Sequence, residues 1–124
     1  AAAELDHGRF NLLFGSDEML LSGLCAGAQG AVGTTYNFAA PIFQQVIDAF
    51  QRNDIATAQM HQGRTVQMIR LVARYGGVPA FKAVMKFLGF DCGSVRLPLQ
   101  ALSTEKEAEL KADLTRLGFF QWIA

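Results

Sequence analysis

Two adjacent carboxylates, Asp17 and Glu18, follow Gly15-Ser16 directly after the apolar run Phe10-Asn11-Leu12-Leu13-Phe14. If that run is a strand, the acids stand at its carboxyl end, the edge where α/β sheets bind ligands. Paired carboxylates at such an edge accept hydrogen bonds from hydroxyl groups, as on a sugar. In the first turn of a helix the same acids would offset the helix dipole, and position alone leaves both roles open. A second polar group, Gly33-Thr34-Thr35-Tyr36-Asn37, ends the next β-like run on the same edge. A ligand would satisfy its hydroxyls and amide, and so would neighbouring backbone.

Other reactive side chains point to less. His7 and His61 do not cluster with acids or cysteines at metal-ligand spacing, and read as surface or core residues. Cys25 sits in an apolar run and reads as a buried thiol acting as a small hydrophobe. Cys92 follows Asp91 in a loop-like stretch with no mark of a nucleophile. Two cysteines make no disulfide framework, and both suit a reducing, cytoplasmic setting. There is no phosphate-loop motif and no G-x-S-x-G, and Gly27-x-x-Gly30-x-x-Gly33 departs from the dinucleotide pattern. No metal or cofactor is therefore expected. The lysines, Lys82, Lys86, Lys106 and Lys111, all fall on helical patterns in the second half. None ends a strand, where a Schiff-base lysine should stand.

The elements that must position the acids follow from periodicity. Residues 10–14 are short, apolar and stopped by Gly15, as expected of a strand buried on both faces. Ser16 or Asp17 is placed to cap a helix carrying Leu20, Leu21, Leu24, Cys25 and Ala28, with Gly27 and Gly30 around its end. Residues 30–37 form the second strand candidate, in which Gly33 signals a bulge or a close approach. Pro41 then stands near the first turn of a helix with the stripe Ile42, Phe43, Val46, Ile47, Phe50. A helix between two strands implies a parallel crossover. Two parallel strands alone are not a stable sheet, so this segment needs strands from elsewhere.

The remainder reads as helical. Asn53-Asp54 caps a helix running to about Tyr75, with Val66, Ile69, Val72 and Ala73 on one face. Gly76-Gly77-Val78-Pro79 ends it, and Phe81, Val84, Met85 and Leu88 mark a short amphipathic helix. Ser94-Val95-Arg96-Leu97-Pro98-Leu99 is an extended connection. Thr104 and Glu107 have capping-box spacing before a last helix with Leu110, Leu114 and Leu117 inward and Gly118 as its stop.

Composition bounds the function. The chain has 124 residues, of which 51% are hydrophobic and 18% charged, too apolar for disorder and suited to one domain. Lys+Arg and Asp+Glu are 11 each, so the basic excess expected of a nucleic-acid or anionic-membrane partner is absent. No apolar run reaches the roughly 18 residues that span a bilayer. The stretch Ala1-Ala2-Ala3-Glu4-Leu5-Asp6-His7 lacks the pattern of a signal peptide.

Three stretches together resemble the N-acetylneuraminate lyase branch of the dihydrodipicolinate synthase superfamily of class I aldolases. They are Phe14-Gly15-Ser16-Asp17-Glu18, the run from Gly27 through Gly33-Thr34-Thr35-Tyr36-Asn37, and Arg96-Leu97-Pro98-Leu99. The resemblance implies an α/β fold, the C-terminal part of a (β/α)8 barrel. Residues 1–52 would hold strands seven and eight with their helices, and residues 53–124 a helical C-terminal extension. It implies a lyase that cleaves a 2-keto sugar acid to pyruvate and an aldose through a lysine imine. That lysine and a proton-relaying tyrosine would precede Ala1, so the chain alone is expected to be inactive. By the same resemblance, the Gly15 backbone and the Asp17 and Glu18 side chains bind the hydroxyl end of the sugar acid. Thr34 stands where the lyases usually have serine, keeping the hydroxyl and adding a methyl group. The implied partners are the small-molecule sugar acid and pyruvate, with no nucleic acid or membrane, in a cytoplasmic homotetramer. Two alternatives stand beside this reading: a dihydrodipicolinate synthase-type enzyme, and a stand-alone, non-catalytic half-barrel that self-associates.

Overall fold

The computed structural model describes Glu4 and residues 7–124. The expectation about a signal peptide at Ala1–His7 falls largely outside these residues. Two short strands, β1 (Leu13–Phe14) and β2 (Gly30–Ala31), pair in parallel with Leu13 opposite Gly30 and Phe14 opposite Ala31. Backbone bonds from Gln29 N–H to the Leu12 carbonyl and from Val32 N–H to the Phe14 carbonyl extend the pairing at both ends. Between the strands lie a 3-10 turn (Asp17–Met19) and α1 (Leu20–Cys25). Then come α2 (Tyr36–Gln51), α3 (Ile55–Ala73), α4 (Val78–Phe87), α5 (Thr104–Leu117) and α6 (Phe119–Trp122). The order strand, helix, strand, helix and then helices only is the one the periodicity predicts.

Both strands are shorter than expected, and β1 is not buried on both faces. Leu13 is 57% exposed, and Phe10 and Val32 also face solvent. A strand's apolar faces are covered only when neighbouring strands and helices exist on each side, and among the described residues each strand has one partner. Past Ala31 the chain leaves the sheet, turns at Thr34-Thr35 and enters α2, so residues 32–37 are not strand. α2 therefore begins before Pro41, and its backbone kinks at Ala39 (φ −130°) just ahead of that proline.

The first helix ends at Cys25 and does not include Ala28. Gly27 adopts φ +93°, its N–H bonds to the Leu24 carbonyl, and the Ala28 N–H reaches back to the Gly23 carbonyl. This is a Schellman stop, which needs the left-handed conformation that glycine takes without strain. Cys25 lies on the outer face and is exposed, contrary to the buried thiol expected from its apolar neighbours. In a six-residue helix only one face is inward, and Leu20 and Leu24 occupy it.

One core runs through the chain, from Leu20 and Leu24 through Phe38, Ile42, Phe43 and Val46 to Met68, Val72, Val84, Leu110, Leu114 and Phe119. The α3 face differs from the one expected: Ala58, Thr65, Met68 and Val72 are buried, while Ala73 is exposed. Asp54 caps α3 by accepting the Thr57 N–H at 3.1 Å. The capping box at Thr104 and Glu107 does not form. Ser103 is the cap, accepting the Lys106 N–H at 3.3 Å, and Glu107 instead pairs with Lys86 of α4 at 2.9 Å. Gly118 stops α5 as expected, and α6 then places Phe119 in the core. Among the described residues no helix is long and apolar enough to cross a membrane.

Candidate functional site

Because β1 and β2 are parallel neighbours, the turns after them open on the same edge of the sheet. Gly15, Asp17 and Glu18 come from the first turn, and Gly33, Thr34 and Thr35 from the second. These residues, with Ile69 of α3 and Phe81 of α4, line an open hollow of about 260 Å³. All four residues singled out from the sequence, Gly15, Asp17, Glu18 and Thr34, meet there.

Their environments differ sharply. Asp17 is 8% exposed, whereas Gly15, Glu18 and Thr34 face solvent. Ser16, the residue at the cap position, makes no side-chain capping bond. Asp17 is held from across the gap between the turns. Its Oδ2 accepts the Thr35 backbone N–H at 3.0 Å and a short bond from the Thr35 hydroxyl. Its Oδ1 lies over Gly33, so that a β-carbon there would fall 1.8 Å from it. The close approach signalled by Gly33 is thus that of a carboxylate. Thr35 is itself 3% exposed, so this hydrogen-bonded lock is shielded from water.

A second support comes from α3. Gln62 Oε1 accepts the Leu21 N–H at 2.9 Å, satisfying one of the free donors at the start of α1. Its Nε2 donates to the Asp17 carbonyl at 3.2 Å and to the Thr65 hydroxyl at 2.7 Å. The side chain therefore fastens the acid-bearing turn to the helical layer. Sequence reasoning missed Gln62, since a glutamine inside a helix carries no local signal of a contact 41 residues away. It also left the Thr35 hydroxyl open between ligand and protein, and the protein takes it.

Behind this turn, Tyr36 packs against Phe43 with ring centroids 4.3 Å apart and the rings tilted by 55°. Its hydroxyl is buried without a hydrogen-bond partner. Burial first, and then the Asp17 carboxylate, push that phenol up to about 12.

The remaining candidates lie elsewhere. His61 is on α3, its Nδ1 buried and unpartnered, and burial followed by Arg64 lowers its pKa. Cys92 is exposed in the 89–103 loop. Lys82 donates to the carbonyls of Cys92, Gly93 and Ser94 at 2.8–3.3 Å, tying that loop to α4. Among the described residues no three His, Cys, Asp or Glu side chains are grouped to hold a metal. The arrangement as a whole offers one fixed carboxylate, one exposed carboxylate, a threonine hydroxyl and a glycine backbone. That set accepts and donates hydrogen bonds and contains no amine nucleophile.

The sequence profile of the dihydrodipicolinate synthetase family matches residues 3–117. The N-acetylneuraminate lyase of Rattus norvegicus is 42% identical over 116 residues, 92% of this chain and 36% of that protein. The Homo sapiens N-acetylneuraminate lyase is 40% identical over a stretch of the same length. The chain thus spans about a third of the length of the curated relatives it matches. In structure it is similar to the Proteus mirabilis N-acetylneuraminate lyase, with a TM-score of 0.87 at 35% identity over 94% of this chain and 40% of that one. It is also similar to a putative dihydrodipicolinate synthetase from Pseudomonas aeruginosa, with a TM-score of 0.76 at 28% identity over 93% of this chain and 40% of that one.

Proposed function

This chain belongs to the dihydrodipicolinate synthetase family, and from that premise we propose that the full-length polypeptide is a class I aldolase of the N-acetylneuraminate lyase type. It cleaves a 2-keto sugar acid to pyruvate and an aldose through a lysine imine. Residues 1–52 supply the last two strands of a (β/α)8 barrel and residues 53–124 its helical extension. The imine lysine lies outside these 124 residues, and the oligomer is a cytoplasmic homotetramer. The observation that carries this reading is the hollow in which Gly15, Asp17, Glu18 and Thr34 converge at the ends of two parallel strands.

Within that reading the two acids bind the hydroxylated tail of the substrate. A carboxylate that accepts a hydroxyl makes a charge-assisted hydrogen bond, worth about 1.5–3 kcal/mol net. A dihydrodipicolinate synthase-type substrate has no polyol chain and would leave an exposed Glu18 without work at this edge.

The test is Asp17→Asn and Glu18→Gln in the full-length protein. Each should lower kcat/KM for the sugar acid about ten- to a hundredfold. Borohydride trapping of the pyruvate imine should be unchanged, because it needs only the lysine end of the site. Residues 1–124 alone should give no trapped adduct. Unchanged cleavage together with a lower melting temperature would make the acids structural and sink the assignment.

A further inference from the structure

The bonds around Asp17 divide the labour within its carboxylate. Oδ2 takes two bonds from Thr35, one from the N–H and one from the hydroxyl. Both come from a residue 18 positions away on the other turn. Oδ1 takes no bond from the described residues, and Asp17 is one of the residues that line the hollow. It sits where the β-carbon of any residue but glycine would be at position 33. The neighbouring Glu18 has no such clamp and is exposed.

We infer that Thr35 is a positioning residue: it fixes Asp17 Oδ2 so that Oδ1 is presented to a substrate hydroxyl at one place, with Gly33 providing the room. This rests on the reading of Asp17 as a hydroxyl ligand and adds to it. A free aspartate in a 3-10 turn rotates about two bonds. Two hydrogen bonds on one oxygen remove that freedom, so the second oxygen meets the ligand already oriented. Discrimination among polyol tails then falls on the Asp17–Thr35–Gly33 unit, and Glu18 adapts to what is bound. The family of polar groups at the sheet edge is thereby split into one that touches substrate and one that aims it.

The experiment uses the full-length protein with Thr35→Val, which removes the hydroxyl and nearly keeps the shape, and Thr35→Ser, which restores it. Thr35→Val should lower kcat/KM for a hydroxylated 2-keto acid about tenfold. The loss should appear mainly in KM, with pyruvate trapping unchanged. Thr35→Ser should recover most of the loss. Thr35→Val combined with Asp17→Asn should be no worse than Asp17→Asn alone, since both act through one carboxylate. Should Thr35→Val fail to fold, Gly33→Ala asks the same question by driving a methyl group into Oδ1, and the same selective loss is expected. Cleavage at the parent rate in a folded Thr35→Val or Gly33→Ala protein overturns the inference. So does a Thr35→Ser protein as impaired as Thr35→Val, or a Thr35→Val protein that loses trapping and cleavage together. If Asp17→Asn and Glu18→Gln impair cleavage while Thr35→Val does not, only this inference fails. If neither acid matters, the hydroxyl-binding assignment fails with it.

Discussion

Leu13 on β1 is 57% exposed and Val32, just past β2, is 65% exposed, while Met68, Val84 and Leu114 on the later helices are at most 1% exposed. Both regions are rich in apolar residues, so hydrophobicity does not separate them. What separates them is where each kind of element finds its hydrogen-bond partners. A helix satisfies its backbone internally and needs only one face covered, which α2, α3, α4 and α5 do for one another. A strand satisfies half its backbone on each side and both its faces need cover. The 124 residues complete the first kind of demand and leave the second open. The candidate site lies on the border, at the end of the open sheet but clamped to the closed helical layer through Gln62.

The sharpest way to break this comparison is a matched pair of truncations. Leu114→Ala removes a fully buried side chain from the helical core and should cost about 2–5 kcal/mol, both in residues 1–124 and in the full-length protein. Leu13→Ala should change the stability of residues 1–124 by less than about 0.5 kcal/mol, as expected of an exposed side chain. On the proposed barrel reading further strands cover β1 in the full-length protein, and there the same change should cost about 2 kcal/mol or more. Denaturant midpoints of the four proteins decide it. A silent Leu13→Ala in both backgrounds would mean that nothing covers β1.

The order of elements was legible because it follows from local periodicity, as in the Ile42, Phe43, Val46, Ile47, Phe50 stripe that α2 turns inward. The positions of Gly15, Asp17, Glu18 and Thr34 around one hollow were legible because parallel adjacent strands bring successive turns to one edge. Strand lengths were not, since β residues are defined by partners and the sequence shows only the propensity. The Asp17–Thr35 lock and the Gln62 brace were not legible either. Each joins residues 18 to 45 positions apart, and no periodic signal reaches that far. The start of α5 was misread by one residue because Thr104-x-x-Glu107 satisfies the capping-box spacing, while Glu107 is drawn to Lys86. Ser103→Ala should therefore destabilise by about 0.5–1 kcal/mol and Thr104→Ala by much less, in thermal melts of either length of chain. Equal costs would restore Thr104 as the cap.

The smallest effect belongs to Tyr36, where the open and closed regions meet. Its hydroxyl is buried without a partner, so it contributes little at neutral pH that a phenylalanine would lack. Tyr36→Phe should change stability at pH 7 by less than about 1 kcal/mol, toward neutral or stabilising. The alkaline limb is where the two proteins part. The folded phenol ionises near 12 and the unfolded one near 10.0, because burial and the Asp17 charge both oppose the phenolate. Below pH 10 the phenol is protonated in both states and pH has no effect through it. Between about 10 and 12 the unfolded chain releases the proton first, so the tyrosine protein loses stability as pH rises. The phenylalanine protein lacks that term and should show a shallower decline over the same range. Denaturant midpoints measured from pH 8 upward test this, and parallel curves for the two proteins would place the Tyr36 hydroxyl in contact with solvent.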